Sequence, residues 1–251
     1  MDAGIIGWIT FGCLFGPVLV GLALRATLPQ HHLSDETKDS VKVGMGLVAT
    51  MAALLLGLLV ASAKGSYDNE KSEITQMSAR VIYLDRVLAN FGPEAGDARR
   101  ILRTTVQASI TRMWPDQTAG VRQEDPGASW TDSLLVAVHR LAPQSELQRS
   151  LKSTAVDSVN ELVKMRWLVY EQAESSISMT MLTVVVGWLA VVFLSFGLFA
   201  PRNATAFFAL FLAAASVAAA IFLIMELDLP FDGIIQISSA PLRNALAHLG
   251  Q

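Results

Sequence analysis

Four stretches of this sequence carry no charged residue: 3–24, 43–63, 175–201 and 203–225, which are 22, 21, 27 and 23 residues long. A helix needs about 20 apolar residues to cross a hydrocarbon layer about 30 Å thick. Lipid offers no partner to a bare N–H or C=O, so a spanning segment must satisfy its backbone internally. Each stretch is therefore expected to be a membrane helix, near 5–28, 43–63, 178–200 and 204–225. A single run of this kind fits a buried core helix, but four in 251 residues are too many for one soluble core.

The composition agrees. Hydrophobic residues make up 52% of the chain and charged residues 16%, against about 25% charged in ordinary globular proteins. The 19 basic and 22 acidic residues give a net charge of −3, so no overall basic field exists to hold nucleic acid. The one cysteine, Cys13, excludes an intramolecular disulfide framework. No Lys or Arg precedes the first span, and its apolar run is longer than the core of a secretory signal. Met1 is therefore expected to begin the mature chain.

Between the second and third spans the character reverses. Residues 64–174 hold 14 basic and 15 acidic residues, most of the charge in the chain. Their apolar residues follow a helical period: Ile74, Met77, Val81, Leu84, Leu88 and Phe91 recur at steps of three and four, a heptad-like stripe. Gly92-Pro93 closes that helix. A second is expected over 94–114, with Ile101, Leu102, Thr105, Val106, Ile110 and Met113 inward. A short helix around 129–141 places Trp130, Leu134, Leu135, Val138 and Leu141 on one side. Pro143 and Ser145 open a long helix with Leu147, Leu151, Val159, Leu162, Val163 and Leu168, able to run without a breaker into the third span. The expected fold is an all-α membrane protein, four transmembrane helices with a helical cytosolic bundle inserted between the second and third spans. Its parts are a first transmembrane hairpin (1–63), the bundle (64–175), a second hairpin (176–225) and a C-terminal segment (226–251) folding back on the cytosolic face.

No catalytic set can be assembled from the sequence, so an enzyme is not expected, and no cofactor is implied. His31-His32 with Asp35, Glu36 and Asp39 has the donor types for a metal, but adjacent histidines in a short polar loop read better as solvated, and no metal site is expected. No ionisable residue lies near the middle of a span, which argues against a proton relay or an ion-coupled carrier. Gly12 and Gly16 form a GxxxG on the first span and are expected to let another helix backbone approach closely. The second span is rich in small residues and has few polar groups. It reads as a tightly packed helix or as the narrow apolar wall of a pore. In the pore reading the lining candidates are Gly46, Thr50, Ala53, Leu54, Gly57 and Ser62. Charges gather where spans end: Lys64 after the second, and Glu226, Asp228 and Asp232 after the fourth. Acidic groups at a helix C-terminus oppose its dipole. These four residues are expected either to pair across the interface or to ring a pore mouth.

The run Glu226-Leu-Asp-Leu-Pro-Phe-Asp-Gly233, continued by Ile237-Ser-Ser-Ala-Pro-Leu242, resembles the C-terminal motif of bacterial bestrophin-like membrane proteins. The end of the second span leading into Tyr67, and residues 78–88 with their Ile-Tyr-Leu-Asp-Arg core, fit the same family. The resemblance implies four membrane spans with a helical insertion, and a relation to bestrophins, which are pentameric anion channels with cytosolic helices. Near the membrane, Lys64, Lys71, Lys164, Arg166 and Arg243 on the bundle side face Arg25, Lys38, Lys42 and Arg202 on the other. That is too even a split for the positive-inside rule. The resemblance, with the lack of disulfides, puts the termini and bundle in the cytoplasm and the chain in a bacterial inner membrane. The function expected is a homo-oligomeric ion channel or pore, pentameric by resemblance, with the lipid bilayer as its other partner. The rival is a non-conducting membrane scaffold or sensor whose bundle binds a partner.

Overall fold

The structure is a computed structural model, and it describes residues 3–29, 34–114, 129–172, 178–201, 203–231 and 233–250. Every regular element among them is helical: α1 (Ala3–Thr27), α2 (Asp35–Phe91), a 3-10 turn (Pro93–Ala95), α3 (Gly96–Met113), α4 (Ser129–His139), α5 (Glu146–Gln172), α6 (Met179–Phe199), α7 (Ala204–Leu227) and α8 (Ala240–His248). Four of these helices are long and apolar enough to cross a membrane. They correspond to the four charge-free stretches. The chain divides into two compact units, Met1–Tyr67 with Ser175–Ile235, and Asp68–Glu174 with Gln236–Gln251.

The membrane unit is built from α1, the first part of α2, α6 and α7. Leu14 and Val18 of α1, Val185, Leu189 and Phe193 of α6, and Ala214, Ile221 and Ile224 of α7 form its core. The closest approach lies between α1 and α6. A Cβ added at Gly21 would run into the Leu194 carbonyl oxygen and stand 2.7 Å from the Leu198 nitrogen, and one added at Gly197 would meet the Val18 carbonyl. Lipid tails are as apolar as leucine, so membrane helices associate by such backbone proximity and dispersion. Among the described residues of the subunit nothing lies within 4 Å of a Cβ built at Gly12 or Gly16, so the close approach within one chain is made by other glycines. The reason is helical register: Thr10, Leu14, Val18 and Gly21 share the buried face, and Gly12 is turned about 200° from Leu14. Between α1 and α7, Phe11 and Phe15 meet Phe211 edge-on, each at 5.4 Å.

The second unit holds the charged middle of the chain. All six stripe residues from Ile74 to Phe91 are buried, and Met77 and Val81 share a small cavity with Leu102, Val106, Leu134 and Val159 of α3, α4 and α5. The second span and the stripe form one helix of 57 residues, because residues 64–91 contain no proline to stop it. Gly92, at φ 124°, ends it, and Gln148 of α5 donates to the Phe91 carbonyl at 2.9 Å. Lys152 closes α4 in the same manner, its Nζ reaching the carbonyls of His139 and Leu141 at 2.7 and 2.8 Å.

One expectation for α5 needs correction. The helix does not run unbroken into the third span: Ser178 is extended, and its side chain accepts from the Met181 N–H to start α6. A serine of this kind caps a helix better than it propagates one. Leu147 and Leu168 of this helix are exposed. The buried face of α5 is carried by Ala155, Ser158 and Val159, with the Ser158 hydroxyl spent on the Thr154 carbonyl at 2.8 Å. The α8 helix was not anticipated. The side chain of Trp130 lies outside what the structure describes.

Candidate functional site

The site expected from the sequence lies on α2, and the structure gives that helix two unlike faces within the membrane unit. Ala52, Leu59 and Ala63 are buried in the core, with Leu55 and Leu56 against it. The steps of three, four and seven between them mark one helical face. Gly46, Thr50, Ala53, Leu54, Gly57 and Ser62 are all exposed. Leu54 is 70% exposed where Leu59, five residues on, is 3%. Among the described residues nothing lies within 4 Å of a Cβ built at Gly46 or Gly57. Thr50, the polar residue nearest the middle of this stretch, donates its hydroxyl to the Gly46 carbonyl at 2.9 Å. The exposed surface is therefore largely apolar and free of charge, and it carries Val43, Leu47 and Leu58 as well.

The charged residues at the span ends have different tasks. Lys64 is exposed on α2, its Nζ 5.3 Å from the ring centroid of Tyr67 one turn on. Asp228 is the C-cap of α7, its N–H reaching the Ile224 carbonyl. Glu226 is 4% exposed. Its Oε2 accepts the Ile234 N–H at 2.6 Å and the Ile235 N–H at 3.4 Å. Gly233 sits in the left-handed region at φ 87°, and a Cβ there would lie 2.5 Å from the same Oε2. A buried carboxylate thus fastens the turn that follows α7, and glycine is required where the turn reverses. Asp232 lies outside the described residues, as do His31 and His32.

In the second unit the Ile-Tyr-Leu-Asp-Arg motif acquires a role that the apolar stripe concealed. Ser78 and Asp85 are seven residues apart and both buried on the stripe face. Asp85 receives Arg99 of α3 in a two-pronged pair, Nε and Nη2 each at 2.8 Å, and accepts the Gly250 N–H at 3.3 Å. Burial works to raise the Asp85 pKa. The Arg99 hydrogen bonds, the Gly250 N–H and the charges of Arg99 and Arg86 outweigh it and hold the carboxyl below its ordinary 3.8. Ser78 donates to the Pro241 carbonyl at 2.6 Å, Trp114 Nε1 to Ile237 at 2.7 Å and Arg103 to Leu249 at 3.0 Å. Residues 237–250 are thereby bound as a strap along the helical unit.

The helical unit also carries a groove of about 400 Å³ whose lining includes Glu94, Asp97, Arg100, Arg140 and Gln144. A cavity of about 50 Å³ lies among Met77, Val81, Leu102, Val106, Val159 and Leu242, almost wholly apolar. Among the described residues no cluster of three His, Cys, Asp or Glu side chains is placed to hold a metal.

The fold has counterparts among solved structures. Two mutant crystal structures of a bacterial bestrophin homolog from Klebsiella pneumoniae superpose with TM-scores of 0.62 at 16% identity, covering 95% of this chain and 99% of theirs. A third crystal structure, described as a membrane protein, gives 0.59 at 16% identity over 93% of this chain. At that identity the likeness is one of fold. No curated protein matches the sequence. The Bestrophin-like domain matches residues 12–242, a stretch that takes in α2, the Asp85–Arg99 pair and the Glu226 turn, and by that match the chain belongs to the Bestrophin-like family.

Proposed function

We propose that this chain is one subunit of a homo-oligomeric membrane ion channel, with the membrane stretch of α2 and its continuation near the axis. One observation carries the reading: Gly46, Thr50, Ala53, Leu54, Gly57 and Ser62 of α2 are all exposed in the subunit, while Ala52, Leu59 and Ala63 of the same helix are core. Four helices from one chain enclose no path, so conduction requires several copies, five if the family pattern holds. Around an axis, the small residues leave an opening and Leu54 narrows it. An apolar constriction of that kind gates by dewetting. Lys64, Asp228 and Asp232 supply charge at the mouth, and Glu226 behind them holds the turn. The helical unit and both termini face the cytoplasm of a bacterium, and the membrane is the inner one.

The test is current across planar bilayers from the purified oligomer. In a Cys13→Ala background, Gly57→Cys should let a charged thiol reagent reduce the current, while Leu59→Cys on the buried face should not. Silence across salts and voltages in a demonstrably oligomeric sample would favour the other reading, a non-conducting scaffold whose helical unit binds a partner.

A further inference from the structure

Because α2 runs unbroken from Asp35 to Phe91, its helical register can be followed along the whole helix. Its buried residues keep to one side: Ala52, Leu59 and Ala63, then Ile74, Met77, Val81 and Leu88. At about 100° per residue they fall within about 30° of one line. The line opposite passes through Leu54 and continues past the membrane stretch as Asp68, Ser72, Gln76, Ala79, Tyr83 and Arg86, all of them exposed. Arg86 comes 32 residues after Leu54, about 40° short of nine full turns.

Beyond the membrane stretch, Arg86 is the one basic residue on that line and Asp68 the one acidic residue. They stand about 27 Å apart along the helix, against a screening length of about 8 Å at physiological salt. The acid therefore does not cancel the arginine. Arg86 makes no ion pair among the described residues. Its chain neighbour Asp85 is turned into the unit and spent on Arg99 and Gly250. A guanidinium keeps its charge at any physiological pH.

We propose that Arg86 biases ion choice: in the assembled channel its copies form a basic ring around the cytosolic part of the path, which concentrates anions and repels cations. The inference rests on the axial placement of α2 proposed above. Rings of charged side chains act in pores because a passing ion meets every copy at once. A potential of one to two kT at such a ring raises the local anion concentration roughly three- to sevenfold.

Reversal potentials in planar bilayers under a KCl gradient test it. Arg86→Gln should lower the chloride-to-potassium permeability ratio by roughly three- to sevenfold, and Arg86→Glu should lower it further. Arg100→Gln should leave the ratio unchanged, since Arg100 belongs to α3, which the Arg99–Asp85 pair fixes to the buried side of α2. Arg86→Cys in the Cys13→Ala background separates charge from folding. After assembly in the bilayer, a cationic thiol reagent should restore the ratio and an anionic one should lower it further. A ratio indifferent to the charge at 86, while Gly57→Cys still responds to its reagent, would overturn this inference and leave the channel standing. An equal shift from Arg100→Gln would overturn it too, by making the effect one of total charge. A wild-type oligomer that passes no current would remove the channel and the ring together.

Discussion

The two units of this chain solve the same packing problem by opposite means. The membrane unit is held where side chains are absent: Gly21 and Gly197 bring the α1 and α6 backbones together so closely that neither position has space for a Cβ. The helical unit is held by a conventional apolar stripe, then fixed in register by polar clamps, of which Asp85 with Arg99 and Gly250 is the most buried. The difference follows from the surrounding medium. In water, burying leucines drives association, and hydrogen bonds choose among the ways of doing it. In lipid that drive vanishes and close backbone contact takes its place.

The comparison is most easily broken at Gly21. Replacing it or Gly197 by leucine sets a branched side chain against backbone, which cannot yield as a side chain can. Overpacking of a core costs about 1–3 kcal/mol, and this case is expected at or above the top of that range. Detergent-extracted Gly21→Leu and Gly197→Leu should give no monodisperse species, while Gly12→Leu should elute and melt as the wild type does. Gly16→Leu sharpens the point: its subunit should fold, and a loss confined to assembly would place Gly16 between copies. Equal damage at Gly12 and Gly21 would remove the membrane half of the contrast.

The next largest effect is expected at Asp85. Asp85→Ala leaves Arg99, with about a quarter of its side chain exposed, and the Gly250 N–H without their acceptor. Breaking a fully buried pair costs about 3–5 kcal/mol, and the partial exposure of Arg99 brings the expectation to the lower end. Asp85→Ala with Arg99→Ala should be milder than the sum of the two. Additive melts would mean that the clamp does not set the register.

The same pair makes the helical unit sensitive to acid in a defined window. Asp85 has a lower pKa folded than unfolded, so its ionised form stabilises the fold fully above the unfolded value, about 3.9. That contribution is lost as pH falls through the folded value, which lies below 3.8. The melting difference between wild type and Asp85→Asn should therefore be constant from about pH 8 to 5 and shrink only below about pH 4. A difference already fading near neutral pH would mean that another group carries it.

Much of this architecture could be read in the residues, and the failures have physical causes. Uncharged stretches located the spans because lipid excludes charge, and the 74–91 stripe was legible because its six apolar residues share one face. The glycine contact within the subunit was not legible because α1 carries five glycines, Gly4, Gly7, Gly12, Gly16 and Gly21, and spacing alone does not say which lie on the packed face. Only the register with Leu14 and Val18 does. The strap was missed because its stabilising partners are distant in sequence: Ser78 meets Pro241 across 163 residues and Asp85 meets Gly250 across 165. The short α8 helix has little intrinsic stability. It is recognisable only once Leu242, Ala245 and Leu249 are seen to be buried together. The exposed surface of α2 was legible as a run of small residues, but its exposure within the subunit was not.

The smallest effect lies at the turn after α7, where the membrane unit uses a polar clamp after all. Glu226 is buried, and its Oε2 holds the Ile234 and Ile235 N–H groups. Glu226→Gln keeps a carbonyl oxygen for one of them, so it should cost well under 1 kcal/mol if its amide nitrogen turns away. Glu226→Ala leaves two backbone donors to find water or go unmet, and about 1–3 kcal/mol is expected. Gly233→Ala should cost a similar amount by another route, since a left-handed conformation disfavours any residue with a Cβ by about 1–2 kcal/mol and the new methyl crowds the same oxygen. The informative measurement is the double variant Glu226→Ala with Gly233→Ala. If the carboxylate and the glycine serve one turn, the second change should add little once the first has released it. Full additivity would mean that the turn is held elsewhere, and the polar clamp would belong to the helical unit alone.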